Sequence, residues 1–125
     1  MIDVPEAEAA IAEIIETASD AGELNRGIIS AAYLNLDTVV VSALKKGADA
    51  NYVDPETGFC ALHIAIGANN FPLTRILVED ANASFFPDRF GRWPSLIAAE
   101  CEVDEQLTDY VAEQEARFLK QDRSA

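Results

Sequence analysis

The chain has 125 residues, half of them hydrophobic, and a formal net charge of −13 at neutral pH. This length suits one domain, and so acidic a surface would repel nucleic acid. The apolar runs are too short to span a membrane, and the first residues lack the positive charge and apolar segment of a secretory signal. We therefore expect a single cytoplasmic domain that binds neither nucleic acid nor membrane.

The acidic residues are concentrated at the two ends of the chain. Residues 1–24 hold seven acidic side chains and no basic one, and residues 99–125 hold eight acidic and three basic ones. Two interpretations remain open. The charge keeps the exposed ends of the domain soluble, or it attracts a basic protein partner.

The first half of the chain predicts three helices. The first begins near Pro5 and ends at Gly22, with an apolar stripe at helical spacing. Asn25 is the predicted N-cap of the second helix, and Asp37 that of the third, which ends before Gly47. The stripe of the first helix consists of Ala7, Ala10, Ile11, Ile14, Ile15 and Ala18.

The second half alternates turn-rich and helical segments. Turn residues dominate 48–59 and 81–92. Helical patterning covers 62–66, a segment that includes Pro72 and runs to Val78, Pro94 to Glu100, and Asp104 to about Lys120.

One pattern occurs three times along the chain. The pair Ala31-Ala32 aligns with Ala65-Ile66 and with Ala98-Ala99, so the pattern begins at positions 31, 65 and 98. A nearly constant period of this size indicates small helical units that bury their apolar faces by stacking on one another.

These units resemble the ankyrin repeat, a turn followed by two antiparallel helices. Residues 47–51 read Gly-Ala-Asp-Ala-Asn and are similar to the segment that closes an ankyrin repeat. Residues 58–65 resemble its opening Gly-x-Thr-Pro-Leu-His-x-Ala pattern, and residues 91–99 do so more loosely. The similarity covers about residues 26–112. It implies an all-α, ankyrin-like solenoid of stacked helix-turn-helix repeats joined by hairpin-like loops.

The resemblance divides the single domain, residues 1–125, into a helical N-terminal cap (1–24), repeat 1 (25–53), repeat 2 (54–87), and repeat 3 with a C-terminal capping helix (88–125). The closing segment of repeat 2 lacks the family's glycine, so we expect a distorted turn there and an inward-facing Phe85. An extra residue between Asp54 and Gly58 predicts a bulge in the first hairpin-like loop.

No pattern in the sequence nominates an enzyme. His63 is the only histidine and has no evident catalytic partner, and the resemblance implies a structural role for it, bonding to the backbone of a neighbouring turn. Cys60 and Cys101 are too few for a zinc site, and we expect both to be reduced and buried. We expect no metal or cofactor.

The aromatic residues between positions 85 and 93 are the strongest indication of function. They surround Arg89 and Arg92, and aromatic and arginine side chains dominate interaction hot spots. Either they bind a partner or they fill gaps in an irregular repeat; Phe86 and Phe90 are the pair we expect to be exposed.

The predicted function is non-catalytic binding of a protein partner, with a monomer favoured. The alternative is a small acidic inhibitor, of the immunity or antitoxin type, that neutralises a basic enzyme. By the resemblance, contact comes from loop tips and inner helices: Tyr33, Tyr52, Asp54, Glu56, Asn69, Asn70, Phe86, Asp88, Arg89, Phe90 and Arg92.

Overall fold

The computed structural model describes residues 4–124, and the side chains of residues 5–121. Residues 1–3 and 125 of the predicted domain lie outside this range. Within it the chain is helical and contains no strand, so the predicted all-α class is confirmed. The helices are α1 (Val4–Thr17), α2 (Ala21–Tyr33), α3 (Asp37–Lys45), α4 (Ala61–Gly67), α5 (Phe71–Arg75) with a π-helical continuation (Ile76–Asp80, the π turn), α6 (Pro94–Glu100) and α7 (Glu105–Ser124).

The contacts between helices follow a recurring pattern. Helix α4 contacts both α2 and α6, so these three form an inner row. Each inner helix also contacts the helix that follows it, which is α3, α5 or α7, and α1 packs on α2 and α3. The aligned alanines Ala31, Ala65 and Ala98 are all fully buried. Small side chains at these positions let neighbouring inner helices approach closely.

Each inner helix is followed, two residues after its end, by a residue in the left-handed conformation. These residues are Asn35, Asn69 and Glu102, with φ angles of 57°, 58° and 52°. Positions 35, 69 and 102 are spaced along the chain just as the aligned alanines are. The period therefore extends to the backbone turns as well as to the buried positions.

The predicted junction between the first two helices is wrong. Helix α1 ends at Thr17, and Gly22 lies in the first turn of α2. The N-cap is Asp20, whose Oδ1 accepts a 2.8 Å hydrogen bond from the Glu23 backbone N–H. Asn25 instead accepts a 2.7 Å hydrogen bond from the Asp49 backbone N–H, so it ties α2 to the segment that closes the first repeat.

The π turn explains the irregular segment that precedes Phe85. After α3, the Ala48 backbone N–H donates to the carbonyl of Ala43, five residues earlier. After the π turn, the Ala83 backbone N–H donates to the carbonyl of Leu77, six residues earlier. The positive φ consequently falls on Asn82, one position beyond the residue that aligns with Gly47. The predicted distortion is confirmed, and Phe85 faces inward with 4 % of its surface exposed.

Two tight turns, Asp54–Phe59 and Asp88–Arg92, precede α4 and α6. In each, the first residue's N–H donates to the carbonyl of the last, at 2.9 Å. The first turn is one residue longer, as its sequence predicted. Arg89 joins the two turns by donating to the carbonyls of Pro55 (2.7 Å) and Glu56 (3.1 Å).

Alanine substitution should affect these two turns unequally. Gly58 and Gly91 have nearly equal positive φ angles, 77° and 80°. A Cβ on Gly91 meets no atom within 4 Å, whereas one on Gly58 would lie 2.5 Å from Arg89 Nε and 2.9 Å from Arg89 Cβ. We expect Gly91→Ala to lower the free energy of unfolding by about 1 kcal/mol through backbone strain, and Gly58→Ala by about 1–2 kcal/mol more, because it also displaces Arg89. Urea unfolding of the two variants checks this; equal losses would show that the Arg89 bridge contributes no stability.

Candidate functional site

The turn from Asp88 to Arg92 is organised around one buried carboxylate. The Asp88 side chain is fully buried. Its Oδ1 accepts hydrogen bonds from the backbone N–H groups of Phe90 and Arg92, both at 2.9 Å, and its Oδ2 accepts one from Arg92 Nε at 2.8 Å. Burial alone would raise the pKa of Asp88, but the hydrogen bonds from Arg92 and Phe90 outweigh it and lower the pKa below its ordinary value. The carboxylate therefore stays charged and holds the turn in one conformation.

Arg92 supports the aromatic ring at the tip of this turn. Its guanidinium carbon lies 5.5 Å from the ring centre of Phe90 and 5.9 Å from that of Phe59, within cation–π range. Its Nη1 also donates to Glu100 at 3.2 Å. Phe90 is 70 % exposed. A large apolar ring is thus presented to solvent on a supported turn.

His63 connects helix α4 to the segment that leads into this turn. The Cys60 backbone N–H donates to His63 Nδ1 at 3.2 Å, so the ring proton lies on Nε2, which donates to the carbonyl of Phe86 at 2.9 Å. Burial lowers the pKa of His63, while the Phe86 carbonyl and the charge of Asp88 act in the opposite direction. The neutral ring bridges two backbone segments, as the resemblance implied.

A groove of about 350 Å³ runs across the inner helices beside the turn. Tyr33 of α2, Ile64 and Gly67 of α4, and Ile97 of α6 line it, together with Phe59 and Arg92. Gly67 lines it without a side chain, and a Cβ there would make ordinary van der Waals contacts, 3.8 Å from Cys101 Sγ and 3.9 Å from Ile97. A second depression, lined by Phe90, Leu96 and Glu100, adjoins it at Arg92.

The structure brings only some of the predicted contact residues to this groove. Tyr33, 48 % exposed, and Arg92 line it, and Phe90 lines the depression that adjoins it. Phe86 is half-buried against His63, with ring centres 5.4 Å apart, so the predicted exposed pair reduces to Phe90 alone. Asp88 is buried, and its carboxylate accepts hydrogen bonds from Phe90 and Arg92 within the turn.

Asn69 and Asn70 connect neighbouring helix pairs. Asn69 Oδ1 accepts a hydrogen bond from the Asp104 N–H at 3.0 Å. Asn70 caps α5 and donates to Asn35 and Asp37 at 3.1 and 2.8 Å. Both amides have structural partners across one repeat length, which the sequence could not reveal.

Of the remaining predicted residues, Tyr52, Asp54 and Glu56 belong to the first turn and the segment before it, and Arg89 belongs to the second turn. Tyr52 packs against the core. Asp54 accepts hydrogen bonds from the Glu56 N–H at 3.3 Å and the Thr57 hydroxyl at 3.0 Å. Glu56 is exposed, and its backbone carbonyl accepts the hydrogen bond from the exposed guanidinium of Arg89 that was described above. These residues support the turns and do not line the groove.

Most residues that line the groove and the adjoining depression were not predicted as contacts, among them Phe59, Ile64, Gly67, Ala68, Leu96, Ile97 and Cys101. Leu96 is 45 % exposed. Cys101 is also exposed, which contradicts its predicted burial, whereas Cys60 is buried as predicted and its burial raises its pKa. Cys101 shares a repeat position with Leu34 and Ala68, which are exposed too. That position follows directly after each inner helix, and it could have been recognised as exposed only once the helix ends were known.

Among side chains 5–121, no three His, Cys, Asp or Glu residues are grouped as metal ligands. Of the helices described, none combines the length and hydropathy needed to cross a bilayer. The sequence matches no protein-family model and no curated protein.

Proposed function

We propose that this chain is an ankyrin-like, non-catalytic module that binds a protein partner in the groove across α2, α4 and α6. The observation that carries the proposal is Phe90, a mostly exposed aromatic ring held by Arg92 in a depression that adjoins an open apolar groove. A single exposed ring is ordinary, but a ring next to an apolar groove extends one continuous apolar surface, and continuous apolar surfaces mark interaction sites.

The repeated geometry supports the ankyrin-like part of the proposal. Helices α4 and α6 are equally long and lie one period apart in the sequence, and α2 ends one period before α4. Tight turns with a positive-φ glycine, Gly58 or Gly91, precede α4 and α6. Helix pairs repeated in this way create an extended surface on the inner row.

The arrangement of the turn favours tight binding. Because Asp88 and Arg92 already hold Phe90 in place, little conformational entropy is lost when a partner covers the ring. The neighbouring groove is large enough for one or two side chains of the partner. Aromatic anchors of this kind carry much of the free energy of an interface.

The state of His63 favours binding over catalysis. Both of its ring nitrogens are engaged with backbone groups. A general base needs a nitrogen free to take a proton from substrate. The only histidine of the chain is therefore assigned to structure.

The acidic inhibitor remains the second candidate, and the surface of α1 favours it. Glu6, Glu8, Glu13 and Glu16 are exposed, and no ion pair is recorded for them among the described residues. Uncompensated charge of this kind accelerates association with a basic protein. For an acidic inhibitor, we expect the association rate to fall steeply as the salt concentration rises. Binding through the groove near Phe90 should depend far less on salt.

Site-specific photo-crosslinking tests the proposal. Benzoylphenylalanine replaces Phe90 in one variant and Leu119 of α7 in the control, in lysate of the source organism. We expect a discrete crosslinked protein from position 90 only, because Phe90 borders the groove and Leu119 does not. The partner is then purified and titrated against variants of the groove.

Gly67 offers a matched pair for that titration. Gly67→Ala adds only ordinary contacts, and should bind normally. Gly67→Phe fills the groove and should weaken binding at least about tenfold, with no loss of thermal stability. Full affinity of Gly67→Phe for the crosslinked partner would exclude the groove as its binding site.

A further inference from the structure

Helix α1 has an apolar face that the other described residues cover only in part. Ile15 is its one fully buried side chain among residues 5–17, and it packs so closely on α2 that a Cβ on Gly27 would lie 3.1 Å from it. Ile14, on the same predicted stripe, is 48 % exposed, and Ala10 is exposed as well. The stripe thus continues beyond its contact with α2.

A groove of about 340 Å³ lies between this face and α2. Ile11 and Ile14 form its apolar side, and Glu23, Arg26 and Ser30 are among the α2 residues that line it. It lies at the N-terminal end of the helix row and shares no lining residue with the groove beside Phe90. We call the exposed surface of Ala7, Ala10, Ile11 and Ile14, with this groove, the α1 face.

The charges around the α1 face are acidic. Glu6 and Glu13 are two helical turns apart, so they lie along one flank of the stripe, next to Ala10 and Ile14. Both are exposed. On the other flank, formed by α2, the negative charge of Glu23 offsets the positive charge of Arg26. The sequence has no Lys or Arg before Arg26.

These charges decide between possible occupants of the face. In a symmetric dimer the same surface meets itself, so Glu6 and Glu13 of the two copies would approach one another and repel. A partner helix with a narrow apolar stripe flanked by Lys or Arg would satisfy both the groove and the carboxylates. Helix α1, of 14 residues, is about 20 Å long, which matches a helix of three to four turns.

We infer that the α1 face is a docking site for a basic amphipathic helix of another protein. The helix places its apolar stripe over Ile11 and Ile14 and its basic flank beside Glu6 and Glu13. This surface is separate from the groove proposed above, so the two inferences succeed or fail independently.

The test uses a fluorescent Leu/Lys peptide about as long as α1, with leucines at helical spacing, and a scrambled peptide of the same composition. Fluorescence anisotropy is measured with the wild-type protein at low and physiological salt. We expect the amphipathic peptide to bind, and the scrambled peptide to bind at least about fivefold more weakly, because it cannot align an apolar stripe with the groove.

Two variants locate the binding site. Ile14→Gln should weaken binding about fivefold to tenfold by removing apolar contact. Glu6→Gln combined with Glu13→Gln should weaken it at low salt and flatten its salt dependence. The matched control is Leu119→Gln on α7, an exposed apolar residue of another acidic helix, which should leave binding unchanged.

Equal binding of the two peptides would reduce the interaction to charge alone and overturn the inference. So would unchanged binding by Ile14→Gln, or a wild-type dimer in sedimentation equilibrium that Ile14→Gln dissociates. Circular dichroism establishes whether α1 remains helical in Ile14→Gln. If it does not, the double variant Glu6→Gln with Glu13→Gln is the test, and unchanged binding by that variant would overturn the inference.

Discussion

Replacing His63 with alanine is expected to lower the free energy of unfolding by about 2–4 kcal/mol. The ring is 3 % exposed and joins the Cys60 N–H to the Phe86 carbonyl. Alanine leaves both backbone groups without their partner in a buried place, and removes the ring contacts with Phe59 and Phe86. His63→Gln can restore one of the two hydrogen bonds, and its loss should be smaller. Urea unfolding at pH 7.5 measures all three proteins.

The same histidine should make stability depend on pH. Its pKa is lowered in the folded protein, so the unfolded chain takes up a proton first as the pH falls below the ordinary value of about 6.5. The contribution of His63 is therefore complete above that pH and declines as the pH falls toward the lowered pKa. Wild type should lose more stability than His63→Gln between pH 7.5 and pH 5.5; parallel losses would show that the folded ring protonates freely.

Replacing Asp88 with alanine should lower the free energy of unfolding by about 2–3 kcal/mol, because three hydrogen bonds converge on its buried carboxylate. Asp54 is the matched control, since it begins the corresponding turn one repeat earlier. Its carboxylate is only partly buried and accepts longer hydrogen bonds, of 3.0 and 3.3 Å. Asp54→Ala should therefore lose about 1 kcal/mol or less, and similar losses in both variants would contradict the central role of Asp88.

Acid sensitivity and binding provide two further measurements on Asp88. Because its pKa is lowered on folding, its contribution is complete above the ordinary carboxyl pKa of about 3.9 and is lost as the pH falls through the lowered value. Asp88→Asn should lack that part of the acid unfolding transition. It should also bind the partner crosslinked through position 90 more weakly, because the turn that presents the ring is no longer held from within.

Much of the architecture could be predicted from the sequence. The recurrence at positions 31, 65 and 98 predicted the helical units, and the described chain is all helical with the aligned alanines buried. The missing glycine before Phe85 predicted the irregular turn, because a left-handed residue must be placed somewhere after the helix. These features depend on local conformational preference and on periodicity, which are properties of a single segment.

The candidate site was less predictable. Phe86 and Phe90 are identical side chains four positions apart, yet one packs on His63 and the other is exposed. Asn69 and Asn70 have the composition of a binding loop, but hydrogen-bond to residues about one repeat away. Nothing local distinguishes these outcomes, since each depends on a partner from a neighbouring helix pair.

The sequence by itself determined the helical class, the period and the position of most turns. Only the tertiary structure decided that Phe90 is exposed while Phe86 is half-buried, that a groove lined by Gly67 lies nearby, and that Ala10 and Ile14 of the α1 stripe are exposed. Helix formation is governed by residues three and four positions apart, whereas exposure is governed by whichever helices pack together. In this chain, exposure at the groove depends on contacts among α2, α4 and α6, which lie 33 or 34 residues apart in the sequence.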